Sequence, residues 1–188
     1  PNPASIIESL RSIGYTLETA IADLIDNSIT ANAKTISIDS PFNGSETKIF
    51  ILDDGDGMDE QTLVEAMRLG SKSPAAHRSA QDLGRFGLGL KTATFSQCKR
   101  LSVISKHNDI ISARCWDLDV IAEKGNWVLI NYTTSEIAKL PFADKLKKKS
   151  SGTVVLWQEF DRIANGSANP QKVFDEKIER AREHAALV

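Results

Sequence analysis

KIFILDDGDGM, residues 48–58, is the stretch that decides the fold. A strand with one wet face alternates apolar and polar residues, whereas Ile49, Phe50, Ile51 and Leu52 are apolar without a break, which predicts a central strand covered on both faces. The acidic, glycine-rich turn that follows marks where the chain leaves the sheet. Asp53 is the last side chain the strand can hold rigidly, and Gly55 and Gly57 permit positive φ and close backbone approach to a ligand.

Working outward, KTISIDS (34–40) alternates Ile36 and Ile38 and predicts a neighbouring strand. Before it, residues 4–12 and 15–31 carry helical periodicity, the second ending near Asn32, a residue tolerant of a left-handed C-terminal cap. Asp59 and Glu60 suit a helix start, continued by Leu63, Ala66 and Met67 to about Leu69. GSKSPAAHRSAQDL (70–83) reads as a loop, and helix returns from Gly87 to Phe95. Apolar runs at 100–106, 109–117, 126–133 and 152–159 predict an antiparallel meander, and the lysines at 145–149 a solvated turn. Helices first and strands later give an α+β fold, a two-layer α/β sandwich with a mixed, mostly antiparallel sheet and helices on one face.

At 188 residues the chain reads as one domain. It begins at Pro1 and ends inside an apolar stripe (Phe174, Ile178, Ala181, Ala185, Val188), which predicts excision from a longer protein. A formal charge of −2 excludes an overall basic field, so contact with nucleic acid would fall to a local patch such as Arg78, Arg85, Lys99 and Arg100. No apolar run approaches the roughly 18 residues of a bilayer span, the start lacks the build of a signal peptide, and the two cysteines, Cys98 and Cys115, form no disulfide framework or zinc motif. An intracellular protein is expected, cytoplasmic, or nuclear if eukaryotic.

Three segments carry chemistry. In LETAIADLIDN (17–27) the apolar stripe centres near Ile21, and Asp23 and Asn27 stack one turn apart on the opposite side. An amide oxygen is a hard ligand suited to magnesium, and a nearby carboxylate can orient or deprotonate water. The second is DDGDGM, where Asp53 can accept a hydrogen bond from an exocyclic amine such as that of adenine. In the third, GRFGLGLK (84–91), glycines open a helix whose free amides suit phosphate, with Lys91 adding a point charge. The spacing is neither a P-loop nor a dinucleotide fingerprint.

Taken in order, ADLIDNSITANA (22–33), ILDDGDGM (51–58) and DLGRFGLGLK (82–91) resemble the N, G1 and G2 boxes of the GHKL ATPases, the superfamily of gyrase, the heat-shock chaperone, histidine kinases and MutL. SGTVVLW (151–157) is similar to the later strand that completes their adenine pocket, and the motifs look most like MORC-like, MutL and heat-shock-chaperone-type members. The resemblance implies the Bergerat α/β sandwich, with ATP and magnesium as cofactors. It places Asn27 on the metal, Asp53 on the adenine amine with Thr153 supporting it through water, and Gly55, Gly57 and Met58 around the base. It gives the phosphates to the backbone of Phe86, Gly87, Leu88, Gly89 and Leu90, makes residues 70–85 the ATP lid, and offers Lys72 and Arg85 as phosphate contacts beside the Lys91 charge noted above.

Asp23 stands where MutL-like and chaperone-like members carry Glu as catalytic base. The missing methylene puts hydrolysis in question, since misplacement on the order of 1 Å can cost about a hundredfold in rate. The expectation is therefore magnesium-dependent ATP binding with slow hydrolysis, lid closure driving homodimerisation or engagement of a protein partner or C-terminal domains. Alternatives are a histidine-kinase-type catalytic domain and a nonhydrolysing nucleotide-sensing module.

Overall fold

The apolar run at 49–52 forms an interior strand, as its unbroken pattern requires. The computed structural model describes residues 3–12, 14–68, 84–162 and 166–185. Its sheet contains β1 (Ile36–Asp39), β2 (Ile49–Asp53), β3 (Cys98–His107), β4 (Ile110–Asp117), β5 (Ile130–Asn131) and β6 (Gly152–Phe160) in the order β1-β2-β6-β3-β4-β5. Every pairing among the described residues is antiparallel. β2 is second from the edge rather than central; β6 and β3 hold the two middle places. The meander is also only partial. β3, β4 and β5 follow one another, but β6 returns to lie between β2 and β3, and the run at 126–133 supplies a strand of just two residues.

Six helices share one face: α1 (Pro3–Ser12), α2 (Leu17–Thr30), α3 (Glu60–Met67), α4 (Gly84–Gln97), α5 (Leu118–Lys124) and α8 (Pro170–Ala185). Ile49 and Ile51 of β2 enter the core beneath them with Leu101 and Val103 of β3 and Trp157 of β6. The opposite face is not bare. Two short helices that the sequence pattern does not announce, α6 (Thr134–Ile137) and α7 (Ala143–Lys147), bury Ile137 and Leu146 against Leu52, Ile104 and Val154. The lysine-rich turn expected at 145–149 is thus partly helical, and Lys106 Nζ secures it by donating to the carbonyls of Lys147 (3.1 Å) and Lys149 (2.7 Å).

Local signals set the helix ends. Thr16 Oγ1 accepts the Thr19 amide at 3.2 Å to cap α2, whose exit runs through Asn32 at φ 62°. Asp59 caps α3 by accepting from Thr62 N at 2.7 Å. That helix is pinned to β4 at both ends: Arg114 pairs with Glu60 at 2.5 Å, and Trp116 Nε1 donates to the Met67 carbonyl at 2.7 Å. Along α8, Phe174, Ile178 and Ala181 are buried as the stripe predicts; Val188 lies outside the described residues. Cys98 and Cys115 are buried and unbridged.

Asp54 ties the start of β1 to the end of β2. Its Oδ1 accepts from Lys34 N and Thr35 N, each at 2.8 Å, and its Oδ2 accepts from Thr35 Oγ1 at 2.6 Å. These bonds, the Thr35 hydroxyl first, lower its pKa from 3.8 to about 2. A depressed carboxylate contributes stability that is present above its ordinary value and lost as pH falls through the folded one. Asp54→Ala should therefore lower the denaturation midpoint at pH 7, the gap to the parent closing between about pH 4 and pH 2. A midpoint difference that persists undiminished at pH 2 would refute this assignment.

Candidate functional site

The end of β2 delivers Asp53 to the helical face of the sheet with 5% of its surface exposed. Its carboxylate is held from three elements. Oδ1 accepts the amides of Gly55 (2.9 Å) and Thr153 (3.1 Å), and Oδ2 accepts the Ser28 hydroxyl of α2 (2.9 Å). Burial raises the Asp53 pKa, and the three hydrogen bonds oppose that rise. A carboxylate has about four acceptor sites, so capacity remains for a donor from a ligand. Ser28 escapes sequence reasoning because it sits within the apolar stripe of α2, two turns after Ile21 and buried among that face, where a serine reads as a small core residue.

The turn after Asp53 is held residue by residue. Ser151 Oγ donates to the Gly55 carbonyl (2.7 Å). Asp56 N donates to Ala31 O (2.8 Å), the Asp56 carboxylate accepts from Asn32 Nδ2 (2.6 Å), and its carbonyl bonds His107 Nδ1 (3.0 Å). Met58 N donates to Ser105 Oγ (2.8 Å). Gly57 uses the freedom expected of it, at φ 67°, with the Lys106 carbonyl 1.9 Å from where a Cβ would stand. Gly55 is not at positive φ; what excludes a side chain there is Ala31 O, 2.6 Å from an ideal Cβ.

Above this turn lies a cavity of about 450 Å³, within the range of small-molecule sites. Leu24, Met58, Leu63, Met67, Leu90 and Val155 give it apolar walls, while Asn27, Ser28, Asp53, Asp56 and Thr153 supply polar groups. Asn27 is half-buried, and no described residue donates a hydrogen bond to its carboxamide oxygen, an atom of the hard kind that suits magnesium. Thr153 meets Asp53 through its backbone amide rather than through water, and its hydroxyl bonds Ser105 Oγ at 2.9 Å.

The remaining expected site residues fall elsewhere. Asp23, half-buried one turn before Asn27, is not among the residues lining the cavity. It lies beside Tyr15, whose phenol is raised above its ordinary value by burial, then by the Asp23 charge and a hydrogen bond to its carboxylate. Lys91, expected at the phosphates, is fully buried and donates to the Arg68 carbonyl at the end of α3; burial draws its pKa down to about 8. α4 opens at Gly84 rather than Gly87, so Arg85, Phe86 and Gly87 belong to its first turn, where amides lack intrahelical partners. Leu88, Gly89 and Leu90 follow inside the helical ladder. Lys72, Arg78 and all but the last two residues of the expected lid lie outside the described residues. Lys99 pairs with Asp119 (3.0 Å) and Arg100 with Asp117 (3.3 Å), which balances the charge of the suggested nucleic-acid patch.

The cavity lies between the end of a buried strand, a polar helix face and the helix that the glycine-rich segment opens, and comparison with known proteins gives the chain a family. The profile of the histidine kinase-, DNA gyrase B- and HSP90-like ATPases matches residues 15–153, and the chain belongs to that family. It is a GHKL, MORC-like ATPase domain: it is 32% identical over 95 residues to "ATPase morc-1" of Caenorhabditis elegans and 32% over 94 residues to "Protein MICRORCHIDIA 6" of Arabidopsis thaliana. Those matches cover 50% and 47% of this chain but only 11% and 14% of the two relatives. Among the described residues, no helix is long and apolar enough to cross a membrane.

Gly57 and Gly125 share a left-handed backbone, at φ 67° and 62°, but Gly125 has open space where a Cβ would stand. Gly125→Ala should cost about 1 kcal/mol from backbone conformation alone. Gly57→Ala adds the collision with Lys106 O and should cost at least about 2 kcal/mol more by chemical denaturation. Equal losses would show that the turn does not rest on β3.

Proposed function

We propose that this domain binds ATP with magnesium in the cavity beside Asp53 and hydrolyses it slowly, using the bound state to engage a second copy or another protein partner. The observation that carries the reading is the Asp53 carboxylate: buried, fixed by two backbone amides and a hydroxyl, and facing an apolar cavity with acceptor capacity to spare. An exocyclic amine of adenine fits that acceptor, and the apolar walls suit the ring. Membership of an ATPase family supports the same ligand.

At the other end, Asn27 would hold magnesium, which when bound offsets phosphate charge. Free amides of the first turn of α4, Arg85 to Gly87 among them, would receive the phosphate oxygens. Leu88 to Leu90 shape the same helix, with Leu90 against the cavity wall. Asp23 would orient the attacking water once the Tyr15 hydroxyl yields its carboxylate. Lid closure by residues 70–85, with Lys72 among them, completes the site.

A second reading, a nucleotide-operated switch with negligible turnover, is favoured by one observation. Asp23 is shorter than the usual base, engaged by Tyr15 and set outside the cavity lining.

Isothermal titration should give magnesium-dependent ATP binding, weakened at least about tenfold in Asp53→Asn while the melting temperature is retained. In Asn27→Ala the magnesium dependence should disappear. ATP binding by Asp53→Asn as tight as the parent's would sink the adenine assignment. Turnover decides between the two readings: a fall of about a hundredfold in Asp23→Ala assigns it as the base, turnover equal to a measurable parent rate removes it from that role, and binding by the parent with turnover indistinguishable from background assigns the switch.

A further inference from the structure

Ser105 lies on β3, 0% exposed, in none of the segments that carry the nucleotide motifs. Its hydroxyl meets three partners: Met58 N at 2.8 Å, the Gly152 carbonyl at 3.2 Å and Thr153 Oγ1 at 2.9 Å. A serine hydroxyl has one donor and two acceptor positions. The Met58 amide can only donate and the Gly152 carbonyl can only accept. One arrangement therefore satisfies all three contacts: Ser105 gives its proton to Gly152 O and accepts from both Met58 N and the Thr153 hydroxyl.

That arrangement has a consequence for the cavity, which Thr153 lines. With its proton committed to Ser105, Thr153 Oγ1 can present only lone pairs to a ligand. Its backbone amide meanwhile fixes Asp53 Oδ1 at 3.1 Å, so threonine oxygen and carboxylate are neighbouring acceptors. We propose that Ser105 is a positioning residue that determines base specificity, holding the Thr153 hydroxyl as an acceptor so that the pocket selects a 6-amino over a 6-oxo purine nucleotide. Without it the Thr153 hydroxyl is free to turn and donate to a 6-oxo group. This inference rests on the adenine reading given above.

The test compares magnesium–ATP and magnesium–ITP titrations of the intact domain and its Ser105→Ala and Ser105→Thr variants, with melting temperatures as the folding control. The parent should prefer ATP. Ser105→Ala should narrow the ATP-to-ITP affinity ratio by about tenfold, the weight of one hydrogen bond to a buried acceptor pair, and Ser105→Thr, which restores the hydroxyl, should recover it. Should Ser105→Ala not fold, Ser105→Cys keeps the volume while giving up most of the hydrogen bonding, and the same narrowing is expected. A folded variant that loses affinity for both nucleotides alike, with the ratio unchanged, overturns this role and leaves the adenine reading standing. A parent that binds no ATP overturns both.

Discussion

A carboxylate buried at the end of a strand is the constraint on which the rest of this site depends. Asp53 stays in the interior only because Gly55, Thr153 and Ser28 each donate to it. Even so, burial wins, and its pKa lies above the ordinary value. A raised carboxylate favours the folded state below its unfolded pKa, and that contribution is lost as pH rises through the folded value. At neutral pH the ionised group therefore opposes folding, and the fold tolerates it through the satisfied hydrogen bonds of three separate elements. A group kept against stability, with an acceptor facing an apolar cavity, is what a recognition site looks like in energetic terms.

Those donors explain why the sheet is ordered as it is. Thr153 follows Asp53 by a hundred residues, and it reaches the carboxylate only because β6 inserts between β2 and β3. The same insertion sets Gly152 and Ser151 beside the turn and places Ser105 of β3 against Met58. Had β6 continued the meander past β5, Asp53 would keep Gly55 and Ser28 but lose its third donor, and the turn would lose the hydroxyl of Ser151. Strand order here is part of the site.

Much of this was legible in the sequence, for identifiable reasons. The unbroken apolarity of 49–52 foretold a strand covered on both faces, yet the expectation of helices on one face left nothing for the second. α6 and α7 resolve that conflict, and they were unreadable because they are one to two turns long, below the length at which helical period can be told from chance. Asp53, Asn27, Gly57 and Met58 stand at the cavity because local motifs place them on element ends whose geometry is local. Thr153 was legible as a position but not as a contact, since its amide and not its side chain does the binding. Ser28 and Ser105 carry no local signal: each matters through a partner dozens of residues away. Lys91 misleads for the opposite reason, because its place after a glycine run says phosphate while its side chain is packed under α3.

The two ends of the cavity are built differently, and this bears on how the domain works under the proposed reading. The base end rests on strand termini and buried hydrogen bonds from several elements, so it is preorganised and needs little ordering when a ligand arrives. The phosphate end relies on helix-borne groups: half-buried Asn27, the first turn of α4, and Asp23 beside Tyr15. Affinity for a base can then be strong while chemistry waits on rearrangement, because only the second end must move to become competent. The shortened Asp23 falls wholly on that second end. Under the proposed reading its missing methylene would lower turnover without loosening the grip on the base, and the domain would then signal by occupancy rather than by turnover.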